Sequence, residues 1–408
     1  MERISERESK LASVLMALMI CSKLMNVAIP RLYSGNIQSG MITMGLIWGL
    51  FFIYVFIYRK NKANLAAACF MAYVLLFFTI SNLIYSDHIR LLTLHFIEYG
   101  LAGFLIAGTE FNVEKTTRYA AYLTLILAYP IVLLLQSNYS VYSESLGMGI
   151  SYALLSPALT IVAHLLYYRK KNDYLMYLAY AFSIYLLYQI LVRGIRGSIL
   201  CILVLFFFAV LNNERFKVTF SIRRGVVLAT VFIGLLNADF LFTAMASALS
   251  SMDIHIRFIE KTIALGNVVG DVSNGRTDIY LIAIRDFFDS PILGKGIGYF
   301  PEVHGINYPH NLILQVLGEG GLLLGIPIII VIFRIVYDLM FRRIEDRDFR
   351  VGIILLTSCT IPAAFVSDEI WNYQLLWLLF GILLKKIVPQ ERRKLSLTQR
   401  EIEGNVIE

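Results

Sequence analysis

Followed from end to end, the chain alternates long apolar runs with short polar connections. The runs fall at residues 11–30, 41–58, 63–85, 91–108, 119–136, 147–168, 174–191, 197–211, 225–246, 312–340, 351–366 and 370–384. Each is close to the length a helix needs to cross a hydrocarbon core. Each must be helical, because lipid offers no partner to a free backbone N–H or C=O. The pattern predicts an all-α, polytopic membrane protein of about twelve transmembrane helices. It reads as one transmembrane domain, 1–384, followed by a short charged tail, 385–408. Only one connection is long, at about 247–310. It keeps apolar periodicity in "DIHIRFIEKTIALG" and "GRTDIYLIAIRDFFDSP" and then turns glycine-rich in "LGKGIGYFPEV". That pattern predicts short helices lying on the membrane surface, in a loop ordered for function.

Composition agrees: 58% of the 408 residues are hydrophobic and 16% are charged, against about a quarter charged in soluble chains. The net charge of +7 invites a nucleic-acid reading, but its placement removes it. Arg59, Lys60 and Lys62, Lys115 and Arg118, Arg169 to Lys171, Arg215 to Arg224 and Arg342 to Arg350 occupy every second connection. The other short connections hold only Arg31, Arg90 and the pair Arg193 and Arg196. By the positive-inside rule both termini are expected in the cytoplasm and the long loop outside. The opening "MERISERESK" and its apolar run lack a small-residue cleavage site, so a retained first span is expected. Cys21, Cys69, Cys201 and Cys359 lie inside spans at no metal-like spacing, so neither disulfides nor a metal site is expected.

Ionisable groups inside spans are costly and mark either a site or a helix-packing pair. Lys23, His95, Glu98 and Asp239 are such groups, all expected in the outer half. Arg193 and Arg196, in "LVRGIRGSIL", oppose the charge rule. One turn of helix would present both guanidiniums to an anion, or both could snorkel at a helix end. The glycines of "GKGIG" permit converging amides, although a plain turn is the simpler reading. In "YPHNLILQVLGEGG" (308–321), Pro309 stops backward continuation and Asn311 suits an N-cap. His310 then stands at the helix mouth, with Gln315 and Glu319 on one stripe below it. Gly318, Gly320 and Gly321 loosen the helix there, a device tolerated where backbone lines a cavity.

The segment "GRTDIYLIAIRDFFDSPILGKGIGYF…YPHNLILQVLGEGGLLLGI" resembles the signature region of the O-antigen ligase and polymerase family, with Arg276, Pro291, Gly294, Gly296, His310, Asn311, Glu319 and Gly321 at the matching places. "RGS" at 196–198 resembles that family's other arginine element. The resemblance covers about residues 275–329; elsewhere only the many-span layout agrees. Tyr280 stands where a tryptophan is common, and the connection around Arg193 is shorter than in many such polymerases.

The resemblance implies a metal-independent, cofactor-free membrane glycosyltransferase of surface polysaccharide synthesis. Its expected substrate is a polyprenyl-diphosphate-linked glycan, and its expected partners are membrane lipids, a flippase and a chain-length regulator. On this reading Arg276 and Arg196, with Arg193 in support, hold the diphosphate. His310 is the base, Glu319 orients it or binds sugar, and Asn311 and Gln315 line the substrate site. Polymerisation of repeat units is the first expectation, and ligation of a finished glycan to a lipid or protein acceptor the second. A flippase or transporter is the reading from another class, with Glu98 and Asp239 as coupling residues.

Overall fold

A computed structural model of the chain describes residues 6–32, 39–58, 65–84, 87–136, 144–169, 173–193, 196–212, 222, 276–341 and 344–387. Its α-helices are α1 (Glu6–Ala28), α2 (Ser39–Tyr58), α3 (Leu65–Ile84), α4 (Asp87–His95), α5 (Ala102–Ile106), α6 (Val113–Ile126), α7 (Ala128–Gln136) and α8 (Glu144–Tyr168). They continue as α9 (Tyr174–Arg193), α10 (Arg196–Asn212), α11 (Arg276–Asp289), α12 (Tyr299–His304), α13 (Leu312–Phe341), α14 (Arg347–Val366) and α15 (Gln374–Ile387). No strand occurs among the described residues.

Among the described residues eight helical stretches are long and apolar enough to cross a membrane, or nine if the bent pair α6–α7 is one span. The other predicted runs are α10 and α15, which are apolar but shorter, and 225–246. That last run, Asp239 within it, the loop as far as residue 275, Lys170 and the tail from 388 lie outside the described residues. Of the expected loop helices, α11 and α12 are formed.

Three boundaries differ from the sequence pattern, each for a local reason. The run at 119–136 is bent by 57° between α6 and α7. Pro130 sits in the first turn of α7, where it lacks an N–H and its ring crowds the turn before. The helix also starts earlier than the apolar run, at Val113, because the Asn112 side chain accepts from the Lys115 N–H at 2.8 Å. The last run begins not at 370 but at Gln374, leaving Ser367–Tyr373 as a linker between α14 and α15. Between α4 and α5 the chain makes a π-helical turn, Phe96–Leu101, a widening that often accompanies functional sites.

α1 packs on α2, α6 and α8; α10 on α14; and α15 on α5. Phe52, Phe56, Leu83, Ile184 and Phe333 are exposed on the outside, an apolar surface suited to lipid. The two ends of the bundle carry different polar sets. At one end Tyr168 Oη donates to Asp348 Oδ1 at 2.7 Å and Arg118 pairs with Glu114 at 3.1 Å. At the other end, the site end, Lys23 pairs with Asp368 at 2.8 Å and Ser22 Oγ donates to Gln374 Oε1 at 2.7 Å. Lys23 thus ties α1 to the linker that follows α14. The pair is partly exposed and contributes about 1 kcal/mol or less, so its main effect is to anchor the 367–373 linker.

The approach of α5 to α15 depends on Gly103, where a Cβ would collide with the Gln374 carbonyl oxygen and lie 3.1 Å from the Leu378 nitrogen. Overpacking of a core costs about 1–3 kcal/mol. Gly103→Leu should therefore lower the melting temperature of the detergent-purified protein by several degrees or abolish its monodisperse peak. Gly149→Ala, with open space around it, should leave both unchanged. Equal behaviour of the two variants would refute this packing.

Candidate functional site

α13 begins where its sequence dictates. Asn311 Oδ1 accepts from the Ile313 and Leu314 N–H groups at 3.0 and 3.1 Å, so the helix is capped. His310, just before the cap, has φ +55°, a value rare outside glycine. Its ring lies 4.4 Å from that of Tyr308, centroid to centroid. Its Nδ1 has no hydrogen-bond partner among the described residues. Burial, and then the Arg276 guanidinium, lower the imidazole to about 4, so it is neutral at pH 7.

Arg276 opens α11 and its charge also reaches Tyr308. Tyr308 Oη donates to the Ser367 carbonyl at 2.5 Å. Burial, with the Asp368 and Glu369 carboxylates adding, raises that phenol above its usual value. Arg276, Tyr308, His310 and the 367–373 linker therefore meet at the site end.

Below this layer lies Glu319, which is buried. Trp371 Nε1 donates to Glu319 Oε2 at 2.5 Å, and the Gly298 N–H and the Gln315 side chain also face that carboxylate. One turn above, the Ile370 N–H donates to Gln315 Oε1 at 3.4 Å. The stripe of Gln315 and Glu319, four residues apart, thus holds consecutive residues of the linker. Trp371 is fixed by aromatic edges: Phe78 at 5.2 Å and Phe96 at 6.2 Å, with Phe78 and Phe96 stacked on each other at 4.6 Å.

The glycine-rich turn proves to be a partner of this helix. At Gly321 (φ 57°, ψ −157°) α13 leaves helical geometry, in a region open in practice only to glycine. The break frees the carbonyls of Gly318 and Glu319 and the N–H groups of Leu322 and Leu323. The turn takes all of them. Lys295 N–H donates to Gly318 O at 2.8 Å, Gly296 N–H to Glu319 O at 2.8 Å, Leu322 N–H to Pro291 O at 2.8 Å and Leu323 N–H to Ile292 O at 3.1 Å. A Cβ at Gly294 would sit 2.5 Å from the Glu319 carbonyl group and the Gly320 nitrogen. The next two amides continue the attachment: Ile297 N–H donates to Ser81 Oγ on α3 at 2.8 Å, and Gly298 faces the Glu319 carboxylate.

The structure sorts the predicted residues. Arg276 comes within electrostatic reach of His310. Glu319 does not reach His310: no bond joins them, because the Glu319 carboxylate is turned inward to Trp371 and the turn. Asn311 is occupied as a cap, and Gln315 is buried under Ile370 rather than lining an open site. Arg193 is buried and folds back on its own helix, donating to Gln189 O and Oε1, both at 2.7 Å. The expected paired presentation with Arg196 is not described, since the Arg196 side chain lies outside the described residues. His95 and Glu98 fall at the π-helical turn, where the His95 ring is 6.2 Å from Tyr99.

Sequence reasoning missed Asp368, Glu369 and Trp371. The local signal was two acids and an asparagine interrupting an apolar stretch, "FVSDEIWNYQ". Burial, then Glu319 and Asp368, raise Glu369 to about 8.

No protein-family model matches the chain and no curated protein matches it. What fold and site define is a class. Among the described residues the protein is all-helical, with eight helices long and apolar enough to cross a membrane, and it carries a polar site at one end of the bundle.

His310 and Glu369 give stability opposite slopes with pH. For His310, at about 4 in the folded protein against an ordinary 6.5, the unfolded chain binds the extra proton between those values. Its contribution to stability therefore falls as pH drops below about 6.5. For Glu369, at about 8 against an ordinary 4.5, the folded protein holds the extra proton. That contribution is complete below about 4.5 and is lost as pH rises through about 8. Of these two effects only the second operates between pH 6.5 and 8. A melting temperature that declines over this window in wild type should decline less steeply in Glu369→Gln. An unaltered slope in the variant would refute a protonated Glu369.

Proposed function

We propose that the protein is a membrane glycosyltransferase that polymerises polyprenyl-diphosphate-linked oligosaccharide at the outer face of a bacterial cytoplasmic membrane. The observation that carries the reading is a fixed cation, Arg276, within electrostatic reach of a neutral His310 at the mouth of α13. Transfer from a lipid diphosphate needs both groups at one place. The acceptor hydroxyl attacks the anomeric carbon, a new glycosidic C–O bond forms, and the C–O bond to the diphosphate breaks. The hydroxyl proton passes to the imidazole, and the departing diphosphate keeps the bonding electron pair beside the guanidinium. Burial, and then the positive charge of Arg276, make His310 a weak base. A bound diphosphate offsets that positive charge and shifts the imidazole back upward, so the base strengthens when donor is in place.

The site end is assigned to the outside by the alternation of basic connections. Asn307→Cys, at the exposed site end, should react with an impermeant thiol reagent in intact cells. Glu345→Cys, exposed at the opposite end, should react only after permeabilisation. The reverse pattern would place the site in the cytoplasm and overturn the outward reading.

The reaction is tested with purified protein and lipid-linked oligosaccharide, without nucleotide sugar and with chelator present. A ladder of lipid-linked repeats is expected. His310→Ala should reduce the rate about a hundredfold or more. Arg276→Lys should lose most activity although charge is kept, because lysine lacks the guanidinium fork. A single product formed only with a second acceptor would mean a ligase. Transport of intact substrate into proteoliposomes without a new bond would mean a flippase and would overturn the enzymatic reading.

A further inference from the structure

The hydrogen bonds at the Gly321 break have a property that an ordinary helix kink lacks. In an uninterrupted α-helix, Leu322 N–H would pair with Gly318 O and Leu323 N–H with Glu319 O. These are the same four groups that the 291–296 segment takes in the structure. Removing the turn therefore leaves no unpaired group on α13, provided that Gly321 returns to helical dihedrals. Glycine is sterically free to adopt either dihedral pair. The helix has two saturated states, one broken and clasped, one continuous. The turn has only one, since Lys295 and Gly296 N–H lose their partners on release.

We propose that α13 and the 291–298 turn form a two-state clasp that gates the site end. In the clasped state Gly298 faces the Glu319 carboxylate, Ile297 is bonded to Ser81, and α11 is tethered with Arg276 beside His310. In the released state α13 closes its own ladder. The turn leaves Glu319 and Ser81, and α11 is no longer held against α13, on which it packs in the clasped state. Two elements support an opening of this kind. α11 and the turn expose Leu281, Phe288, Ile292 and Leu293 on their outer side, and the apolar packing that opposes their departure rests on a few buried side chains, Ala283 and Ile297 among them. The clasp itself is made of four backbone bonds, and two helix bonds are enough to satisfy the four groups that α13 contributes to it. What the gate admits rests on the glycosyl-transfer reading; that there are two states does not.

Hydrogen exchange on the full-length protein in lipid nanodiscs, without substrate, tests the two states directly. In wild type the amides of Lys295 and Gly296 should exchange at least tenfold faster than those of Leu322 and Leu323, because only the latter are protected in both states. Gly294→Ala, whose Cβ would press on the Glu319 carbonyl from a residue at φ +71°, should expel the turn. It should raise exchange at 295 and 296 at least tenfold more while leaving 322 and 323 protected. Gly321→Ala, strained at φ +57°, should act in the same direction from the helix side. Loss of protection at Leu322 and Leu323 in either folded variant would overturn the proposal, for it would mean that the helix has no second state. Equal exchange of all four amides in wild type would overturn it as well. An inactive protein showing the expected exchange pattern would instead count against the glycosyl-transfer reading alone.

Discussion

A backbone N–H or C=O without a partner costs several kcal/mol in a lipid environment. Any interruption of a membrane helix must therefore bring its own replacements. In this chain the constraint acts most sharply at Gly321, and the architecture of the site end follows from how it is met. The Pro291–Gly296 segment supplies two carbonyls and two amides in the order the break requires. Supplying them fixes where α11 ends and α12 begins. Those positions fix Gly298 against Glu319 and Ile297 on α3. Replacing any of these bonds by an unpaired group would cost about 1–3 kcal/mol even outside lipid, so the contacts depend on one another as a set.

Depth sorts the charges. The cation Arg276 and the neutral His310 lie at the mouth, whereas the carboxylates of Glu319 and Glu369 lie deeper, among Trp371, Gln315 and Asn372. Asp368 already has Lys23. Neither Glu319 nor Glu369 makes an ion pair among the described residues, and Glu369 responds by holding its proton near neutral pH. A site built this way presents positive charge at the surface and hydrogen-bonding oxygens below. That order suits a ligand with an anionic group at the mouth and hydroxyl groups further in.

Much of the scaffold was legible because length and apolarity alone decide whether a helix can span. The start of α13 was legible too, since Pro309 and Asn311 act within one turn of themselves. Pairings across long separations were not. Gly294, Gly296 and Gly298 read as a plain turn or an anion cradle, because nothing local says that their partners lie at 318 and 319. Gly321 was seen as loosening the helix, but the sequence could not show that a second segment fills the gap. Glu319 was misdirected toward His310 by proximity in sequence, when its indole partner is 52 residues away. The linker at Ser367–Tyr373 was absorbed into a span because Ile370 and Trp371 are apolar, although Trp371 faces the site through its one polar atom.

The same glycines thus perform two tasks that sequence alone cannot separate. At Gly294 the missing side chain lets one backbone approach another, since even a methyl group would overlap the Glu319 carbonyl. At Gly321 it permits a dihedral pair that an L-residue avoids. The two needs are satisfied at one contact, where a Cβ on Gly321 would strike Ile292 and the Gly294 nitrogen in turn. A close approach of two backbones is also what makes reciprocal exchange of hydrogen bonds geometrically accessible. Arg276, at the start of the helix that leads into the turn, and Glu319, on α13 at the break, are carried by the two segments of that contact. Their mutual position is accordingly set by backbone bonds rather than by any direct bond between them.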